Sequence, residues 1–543
     1  MNKHLVLAVL TFLFCRTLNS QSIEFHDLPF DMPGMELPQF RPDTFNIVSY
    51  GAIPDGMALN TNAITSAIEA CSLAGGGVVV VPRGIWLTGP LKLASHINLH
   101  LEQGALLLFS RNFDDYPLLR TTYEGAERVR CASPISGADL ENIAITGKGV
   151  IDGSGDAWRP VKKSKLTAAQ WNKLIHSGGI LNQQGNTWYP SEKSLLGNTM
   201  PGRIIQPGPD LQEYEAVKDA LRPVLLSLIN CRNVLIDGPT FQNSPAWNLH
   251  PLMCENIVIR NIEVRNPWYA QNGDGLDLES CRSCLIENCR FDVGDDAICI
   301  KSGRDKAGRE RGIPTEFVVI RNCIVYHGHG GFVIGSEMSG GVRNIFISNC
   351  TFMGTDIGLR FKSTRGRGGL VENIYASHID MIEIPAQAVS FNLYYGGAPP
   401  IPDEEDKPIG NVTVAIPKVS EETPQFRNFY FTDITCRGAG QAVLMRGLPE
   451  MKISNIHIND FRVVADRGIS CTDIEKTSFK DLSVITKTGP VFELVGCDSV
   501  VIDQVTYAED TDIFAKVRGA DPNDVQIIHV DLSKSKRGVI KQE

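Results

Sequence analysis

The sequence predicts an all-β fold: a right-handed parallel β-helix, a solenoid, with an N-terminal capping helix and a partly helical insertion. Three observations lead to this prediction. A short motif recurs at a period of one small coil, the copies have strand-like composition, and the chain has 543 residues. That length exceeds what one compact core usually supports, so it implies either two or three globular domains or one elongated repeat architecture.

The repeated motif has the form x-Asn-Ile-x-Ile. Its copies lie at residues 141–145, 232–236, 255–259, 343–347, 372–375, 427–431 and 454–458, with degenerate copies at Ser283, Phe317, Thr477 and Ser499. From residue 233 onward the Asn position recurs every 22 to 34 residues, apart from one step of 55 that spans about two periods. Fixed periods of this size indicate a solenoid, and they are too short for propeller blades of about 40 residues.

The composition of the copies identifies the kind of solenoid. Each copy alternates apolar and polar residues and is rich in Ile, Val and Phe, with no helical stripe between copies. Such strands stack as parallel β coils. Asn at one turn of successive coils can form a hydrogen-bonded ladder. Cysteines in a shared register are expected to line the interior; they are Cys231, Cys254, Cys281, Cys323 and Cys350.

Two segments interrupt the period. Residues 62–74 carry a helical apolar stripe that ends at the glycines 75–77, as expected of a helix that caps the first coil. Residues 155–222 contain two helix-like stretches, at 167–176 and 210–221, and form an insertion. The insertion is either a packed surface subdomain or a wall of a substrate groove.

The N-terminus has the pattern of a secretory signal. A positively charged start precedes an apolar run at residues 5–14, and a small residue follows at Ser20. We therefore expect a signal peptide at 1–20, a leader packed on the coils at 21–44, a β-helix at 45–535, and export to the periplasm or the exterior. A lipid anchor on Cys15 is less expected because bulky Phe14 precedes it.

No later stretch is apolar enough for a membrane span, so we expect an exported protein without one, most simply a monomer. The formal net charge is −10, from 62 acidic and 52 basic residues, and loss of the signal would make it more negative by two. Affinity for nucleic acid comes from clustered Lys and Arg. The charge therefore argues against a nucleic-acid partner.

Thirteen cysteines would remain after cleavage, an odd number that requires at least one free thiol. Cys281, Cys284 and Cys289 suggest a metal site, but no second Cys or His pair lies at zinc-like spacing. The alternative, small buried hydrophobic residues, explains them better. We expect neither a metal nor another cofactor.

Polar residues unusual for strands concentrate between residues 271 and 362. They form four motifs in chain order: Asn272-Gly-Asp274-Gly, Gly294-Asp295-Asp296, Gly328-His329-Gly330 and Arg360-Phe-Lys362. The separations from Asp274 to Asp295, from there to His329, and from there to Arg360 are 21, 34 and 31 residues, each about one coil. One coil advances the helix axis by about 4.8 Å, so the four motifs should converge on one face.

Three neighbouring carboxylates imply acid–base chemistry. Like charges at close range raise one pKa, which leaves a protonated acid beside an ionised base, the pair that glycosidic hydrolysis requires. Arg360 and Lys362 would add positive charge, so the substrate should carry carboxylates. Two alternatives remain, since Gly-Asp-Asp is a common turn and acid clusters bind calcium. Asp295 and Asp296 can share one groove only if the chain bends, which Gly294 permits.

The four motifs resemble those of the polygalacturonase family, family 28 of the glycoside hydrolases, whose usual forms are Asn-Thr-Asp, Gly-Asp-Asp, Gly-His-Gly and Arg-Ile-Lys. The similarity runs from residue 45 to about residue 400, with Gly273 in place of Thr and Phe361 in place of Ile. The resemblance implies a right-handed parallel β-helix that hydrolyses α-galacturonide bonds in pectin with inversion and without a metal.

The resemblance also implies a role for each motif residue. Asp295 is expected to be the general acid, and Asp274 and Asp296 to activate water. His329 would support the acid, while Arg360 and Lys362 would hold the sugar carboxylate on the leaving-group side. Further candidates for substrate binding, each with a structural role as the alternative, are Asn272, Asn248, His250, Lys301 and Arg304.

The mode of action is expected to be exo, from the non-reducing end. The excursions at 155–222 and 303–314 can wall off one end of the groove, and residues 301–309 resemble bacterial exo-acting members. A rhamnogalacturonan hydrolase is the alternative within the hydrolases. Outside them stand a β-helix lyase, which needs calcium and a base, and a non-catalytic glycan binder, which needs aromatic platforms and no acid pair.

Overall fold

A computed structural model describes residues 22–199, 208, 210–396, 416–519 and 524–542. The predicted signal peptide at 1–20, with Cys15, lies outside the described residues. The chain forms the predicted right-handed parallel β-helix, in which three parallel sheets wind around one core. No helix within the described ranges is long and apolar enough to span a membrane.

Each coil passes through sheet 1, then sheet 2, then sheet 3. The first strand of the β-helix belongs to sheet 2, so that sheet is described first. Sheet 2 contains Thr44–Asn46, Gly77–Val81, Ile97–Leu101, Glu141–Gly147, Arg232–Asp237, Glu255–Arg260, Arg282–Glu287, Thr315–Arg321 and Val525–Ile528. Sheet 3 contains Gly84–Thr88, Ala105–Phe109, Val150–Asp152, Thr240–Gln242, Glu263–Arg265 and Arg290–Asp292. Sheet 1 contains Leu91–Lys92, Ile135–Ala138, Leu226–Ile229, Leu249–Leu252, Leu276–Glu279, Asp296–Lys301, Thr355–Lys362, Phe492–Val495, Ala515–Arg518 and Val539–Gln542.

In the later coils, long strands bend through the corners and so belong to more than one sheet. They are Ile324–Ile334, Val342–Met353, Leu370–Asn392, Gln425–Arg446, Ile453–Thr472, Ile474–Thr486 and Asp498–Tyr507. Each pairs in parallel with the coil before and the coil after it. A residue on one coil therefore lies directly above its register partner on the next.

The repeated Asn occupies the corner that enters sheet 2, where the backbone is left-handed. Asn233 has φ 56° and Asn256 has φ 56°, a conformation that Asn tolerates better than most residues. The Asn256 side chain donates to Asn233 at 2.8 Å, and Asn233 donates to Asn142 at 3.0 Å, which forms the predicted ladder. The copy assigned to Thr477 was placed one residue late, because Lys476 takes this corner with φ 50°.

One continuous hydrophobic core fills the coils. The core contains stacked rings, such as Phe361 on Phe391 with centroids 4.5 Å apart, and this stacking accounts for Phe in place of Ile at position 361. All thirteen cysteines in the described ranges are buried and unpaired, as expected of small hydrophobic residues.

The first coil and one lateral face are covered by N-terminal segments. Helix α1, Thr61–Leu73, caps the coil through buried residues that include Ile64 and Ile68. Residues 22–40 contain a small hairpin, Ser22–Ile23 with Met35–Glu36, and cover outward apolar side chains of sheet 2 such as Val258.

The insertion at 155–222 has its own helices and sheet. Its elements are α2 Ala168–Ile175, α3 Glu192–Thr199, the 3-10 helix Leu211–Ala220, and strands Val161–Lys162, Ile180–Leu181 and Thr187–Tyr189. A capping box of Thr167 and Gln170 starts α2. Trp171 and Trp188 form a separate small core. The second helix-like stretch is thus a 3-10 helix.

The remaining elements lie outside the coils. An antiparallel hairpin, Leu118–Tyr123 with Ala126–Cys131, was not foreseen from the sequence. Helix α4, Asp305–Arg311, follows the strand that carries Asp296. Short 3-10 helices occur at Ile47–Tyr50, Phe113–Asp115, Gly155–Ala157, Lys163–Lys165 and Leu532–Lys534.

Candidate active site

The four polar motifs meet along one edge of sheet 1. In the parallel register Asp296 lies beside Gly330, and Gly330 lies beside Ile357, three residues before Arg360. One carboxylate oxygen each of Asp274, Asp295 and Asp296 lies within 4.8 Å of the others. The convergence expected from the coil spacing is therefore present.

Glycines allow the chain to bend at this point. A Cβ at Gly294 would lie 2.6 Å from the carbonyl oxygen of Pro267, so only glycine fits there. A Cβ at Gly273 would lie 2.7 Å from that of Ala270, which accounts for the absence of the usual Thr. The strand then begins at Asp296, after the bend, and this lets Asp295 and Asp296 share one groove.

Asp296 is a buried carboxylate held by two cations. Its oxygens lie 2.6 Å from Lys362 Nζ and 3.2 Å from Arg360 Nη1. Burial would raise the pKa of Asp296, but the charges of Lys362, Arg360 and Lys301 outweigh it and hold this pKa well below its usual range. Asp296 therefore stays ionised.

Asp274 has the opposite electrostatic environment. It is buried, and its Oδ1 has no hydrogen-bond partner in the part of the chain that the structure describes. Burial, followed by the charges of Asp295 and Asp277, raises the pKa of Asp274 well above its ordinary value. One carboxyl pKa of the cluster is thus raised, as predicted, but it belongs to Asp274, for which the resemblance implies a role in activating water.

Asp295 is the most exposed of the three and faces the groove. It accepts hydrogen bonds from the backbone N–H groups of Asn272 and Asp296, both at 3.1 Å. His329 Nδ1 lies 3.2 Å from its Oδ1. That hydrogen bond raises the pKa of His329 despite partial burial, and so favours the imidazolium. Asp356, 3.8 Å from Nε2, adds a weaker contribution.

Beneath the carboxylates lies a network of buried charges. Lys301 Nζ is 3.0 Å from Glu337 and 3.6 Å from Asp277. Burial opposes ionisation of Glu337, but Lys301 and Lys362 lower its pKa to about 2. The sequence predicts a site role for Lys301 but not for either acid. The signal for Asp277 was a charged residue between two leucines of a strand, 276–279, that is buried along its whole length.

The other predicted binding residues have the following neighbours. Asn248 is buried one coil before Asp274 and donates to the carbonyl of Asp274 at 3.2 Å. His250 is also buried, and its Nε2 lies 2.9 Å from Glu279. The side chain of Asn272 accepts from Arg222 at 2.9 Å. All of these side chains already have protein partners, and their contact with a sugar stays a prediction.

The hairpin at 118–131 closes the groove on the side of the earlier coils. Arg304 N–H donates to the carbonyl of Gly125 at 3.1 Å, and Arg304 Nη1 lies 3.8 Å from Glu124. Tyr123 packs on Trp247 with ring centroids 4.5 Å apart. Arg304 is thus part of this wall. The insertion at 155–222 contacts the coils beside the site, where Trp268 donates to the Lys165 carbonyl at 2.8 Å, and its role as a wall of the groove stays a prediction.

On the side of the later coils, no described residue closes the groove. A cavity of about 280 Å³ begins at Arg360 and Lys362 and continues along sheet 1. The ring of Tyr395 lies 5.0 Å from Lys362 Nζ and 5.8 Å from Arg360 Cζ. Tyr395 was missed in the sequence, although it lies just past Asn392, the register partner of Lys362 on the next coil.

Comparisons with known proteins agree with this geometry. The family model "Glycosyl hydrolases family 28" matches residues 212–425, which include all four motifs. A "Probable polygalacturonase" of Vitis vinifera is 28% identical over 81% of this chain and 79% of its own length. An "Exo-poly-alpha-D-galacturonosidase" of Dickeya chrysanthemi is 32% identical over 65% of this chain and 58% of its own length.

A solved structure of similar fold is that of a hyperthermoactive exopolygalacturonase from Thermotoga maritima. It is 30% identical, covers 86% of this chain and 94% of its own, and superposes with a TM-score of 0.62. Another is the family 28 exopolygalacturonase of Yersinia enterocolitica, which is 24% identical with a TM-score of 0.60 and supports the fold. By sequence, fold and motifs together, this chain belongs to family 28 of the glycosyl hydrolases and is a glycoside hydrolase.

Proposed function

We propose that the chain hydrolyses α-galacturonide bonds of pectic polysaccharide or oligosaccharide, one residue at a time from the non-reducing end. The observation that carries this proposal is the group Asp274, Asp295 and Asp296 beside Arg360 and Lys362, in a groove that the hairpin at 118–131 closes on the side of the earlier coils. The polygalacturonases among its relatives support the same substrate.

In the proposed mechanism Asp295 protonates the glycosidic oxygen, because it is the carboxyl that faces the groove. Asp296, which stays ionised, takes a proton from a water molecule that Asp274 helps to hold, as the water oxygen attacks the anomeric carbon. His329 supports the charge left on Asp295.

The roles of acid and base can be separated by the leaving group. Asp295→Asn should lower kcat on polygalacturonate by at least two orders of magnitude, since it removes a general acid. The same variant should keep more of its activity on p-nitrophenyl galacturonide, whose leaving group needs no proton. Asp274→Asn should lose activity on both. The reverse pattern would assign the acid to Asp274.

The stereochemistry needs its own measurement. The family resemblance implies inversion, whereas most inverting pairs are about 6.5–9.5 Å apart and these carboxylate oxygens lie within 4.8 Å. Proton NMR of the first product formed from an α-linked substrate distinguishes the outcomes. We expect the β-anomer, and an α-anomer formed first would overturn the role given to the water.

The exo mode is tested by the product profile on polygalacturonate. Galacturonic acid alone at early times supports it, and a ladder of mid-length oligomers would refute it. The alternatives give different products. A lyase yields unsaturated sugars that absorb ultraviolet light and are lost with chelator, and a rhamnogalacturonan hydrolase prefers alternating chains.

We also propose that the protein is exported as a monomer. The support for export is the signal pattern at 1–20, whose placement the structure does not describe. Fractionation of the producing cells tests the compartment, and a mass consistent with an uncleaved chain in the cytoplasm would contradict export. Light scattering tests the monomer.

A further inference from the structure

The guanidinium of Arg222, the last residue of the insertion at 155–222, lies at the corner where sheet 3 turns into sheet 1. Its Nη1 donates to the carbonyl oxygen of Pro245 at 3.0 Å and to that of Gln271 at 2.9 Å. Its Nη2 donates to Oδ1 of Asn272 at 2.9 Å. Pro245 and Gln271 lie on successive coils, so this one side chain ties the end of the insertion to two coils.

One of these contacts is made to a peptide group that also bonds to Asp295. The carbonyl of Gln271 and the N–H of Asn272 belong to the same amide, and that N–H donates to Oδ2 of Asp295 at 3.1 Å. A guanidinium, a peptide group and a carboxylate thus form one continuous hydrogen-bonded chain. Hydrogen bonds in such a chain polarise one another, so the contact at the carbonyl strengthens the bond that the N–H donates.

The turn that carries this peptide group lies outside the regular strands. Its own hydrogen bonds run from the Ala270 N–H to the Pro267 carbonyl at 2.9 Å and from the Gly273 N–H to the Ala270 carbonyl at 3.1 Å. Asn272 has φ 53°, a left-handed conformation that Asn tolerates better than most residues. Because Arg222 holds both the Asn272 side chain and the preceding carbonyl, it fixes the direction of the Asn272 N–H.

The charges are arranged so that this chain favours a negative charge on Asp295. Burial lowers the pKa of Arg222, and the charge of Asp295 is one of the influences that oppose this effect. A guanidinium stays protonated in proteins. When Asp295 gives its proton to the glycosidic oxygen, the electron pair of the broken O–H bond stays on the carboxylate, and the Asn272 N–H becomes a charge-assisted donor. The contact therefore strengthens as the reaction proceeds, which is what lowers a barrier.

We propose that Arg222 is a positioning residue for the general acid: through the peptide group between Gln271 and Asn272 it orients the Asp295 carboxyl and stabilises the carboxylate left after proton donation. This inference rests on the proposed function, in which Asp295 is the acid. It gives the end of the insertion a part in the reaction that does not require contact with the sugar.

The test compares Arg222→Met on two substrates, polygalacturonate, whose leaving group needs a proton, and p-nitrophenyl galacturonide, whose leaving group does not. The kcat on polygalacturonate should fall about thirtyfold, as expected for loss of a charge-assisted hydrogen bond, and kcat on the nitrophenyl substrate should stay within threefold. In an Asp295→Asn background, Arg222→Met should cause less than a threefold further loss, because the group that it positions is gone. Arg222→Lys should recover part of the loss, since it keeps the charge and a donor.

Arg159→Met is the matched control. Arg159 is a buried arginine of the same insertion that donates to the Ser244 carbonyl at 2.8 Å and to Oδ1 of Asn243 at 2.6 Å, at the same corner. Within the part of the chain that the structure describes, it does not bond to the peptide group between Gln271 and Asn272. This variant should lower the urea midpoint, and the ratio of its two activities should stay at the wild-type value.

Equal losses on both substrates in Arg222→Met, or a full further loss in the Asp295→Asn background, would overturn the proposal. Hydrogen–deuterium exchange gives a readout that needs no turnover: amides of the segment 268–275 should exchange faster in Arg222→Met than in the wild type, and unchanged exchange would also overturn it. If the wild type hydrolyses neither substrate, the proposed function fails, and this inference fails with it. If the wild type hydrolyses both and Arg222→Met behaves like Arg159→Met, only this inference fails.

Discussion

The two ends of the groove lie on coils of the same architecture but differ in the residues that surround them. Toward the earlier coils, Tyr123 of the hairpin packs on Trp247 and the backbone of Gly125 bonds to Arg304, so the groove is closed by packed aromatic and backbone contacts. Toward the later coils, a polar cavity of about 280 Å³ continues from Arg360 and Lys362 along sheet 1, and no described residue closes it. A uniform solenoid thus acquires a direction from its loops at one end and from its outward side chains at the other.

The largest expected effect is at the junction of the two ends. Lys362→Met leaves the Asp296 carboxylate buried beside Arg360 alone, and loss of a partner from a buried ion pair costs about 3–5 kcal/mol. The free energy of unfolding in urea should fall by that amount, and kcat should fall by at least two orders of magnitude.

The double variant Asp296→Asn with Lys362→Met provides the control for this prediction. It removes both charges and should recover much of the stability without any activity. An unchanged urea midpoint in Lys362→Met would contradict the view that this pair is buried and coupled.

A methyl group added to the hairpin at Gly125 should open the closed end of the groove. A Cβ at Gly125, which has φ 71°, would lie 2.6 Å from the Arg304 nitrogen, so Gly125→Ala should lift the hairpin off the groove. We expect about a tenfold loss of kcat/KM for release of monomer, and chromatography should show oligomers among the early products.

Gly185→Ala is the matched control for the hairpin. Gly185 has φ 64° and open space around it, so the substitution carries the same backbone strain without a contact to the groove. A monomer-only profile in Gly125→Ala would show that the hairpin does not set the mode of action.

The pH dependence should reveal His329 at the boundary between the ends. Its pKa is raised by the hydrogen bond to Asp295, so the imidazolium persists above the ordinary value of about 6.5. As pH rises through the raised pKa, the charge is lost and kcat/KM should fall. At lower pH this charge is fully present. His329→Gln should be about tenfold less active, and its kcat/KM should no longer fall over this pH range. An unchanged fall in this variant would mean that another group titrates.

The smallest effect concerns salt at the open end. Charge pairs at a solvent-exposed surface are screened over about 8 Å at physiological ionic strength. Between low and 0.15 M salt, kcat/KM on polygalacturonate should fall severalfold, and that on digalacturonide should fall less. Identical slopes for both substrates would mean that no charge beyond Arg360 and Lys362 contributes to binding.

Most of the coil architecture was predictable because each coil needs the same residue types at the same positions. Asn recurs where the backbone needs a left-handed corner, and the apolar alternation repeats where the side chain points inward. The prediction erred at Thr477, where Lys476 takes the corner and the usual residue type is missing. At Phe317 the register was placed correctly although Phe disfavours φ > 0, so the flanking apolar alternation can also locate a corner.

The motif residues of the site were also predictable, since coil spacing alone brings Asp274, Asp295 and Asp296 to one face. The residues that contact these motif residues were harder to predict. Glu337 and Tyr395 lie in segments whose local sequence resembles any loop, and their proximity to Lys301 and Lys362 follows from long-range stacking. The hairpin at 118–131 has no motif, and its position depends on contacts across the groove.

The sequence by itself determined the solenoid, its capping helix and the chemistry of the four motifs, because periodicity and residue type act over one or two coils. The tertiary structure alone decided which carboxyl is held ionised and which end of the groove the hairpin closes. Charge interactions and steric closure depend on distances between residues far apart in the chain, and only the stacked coils set those distances.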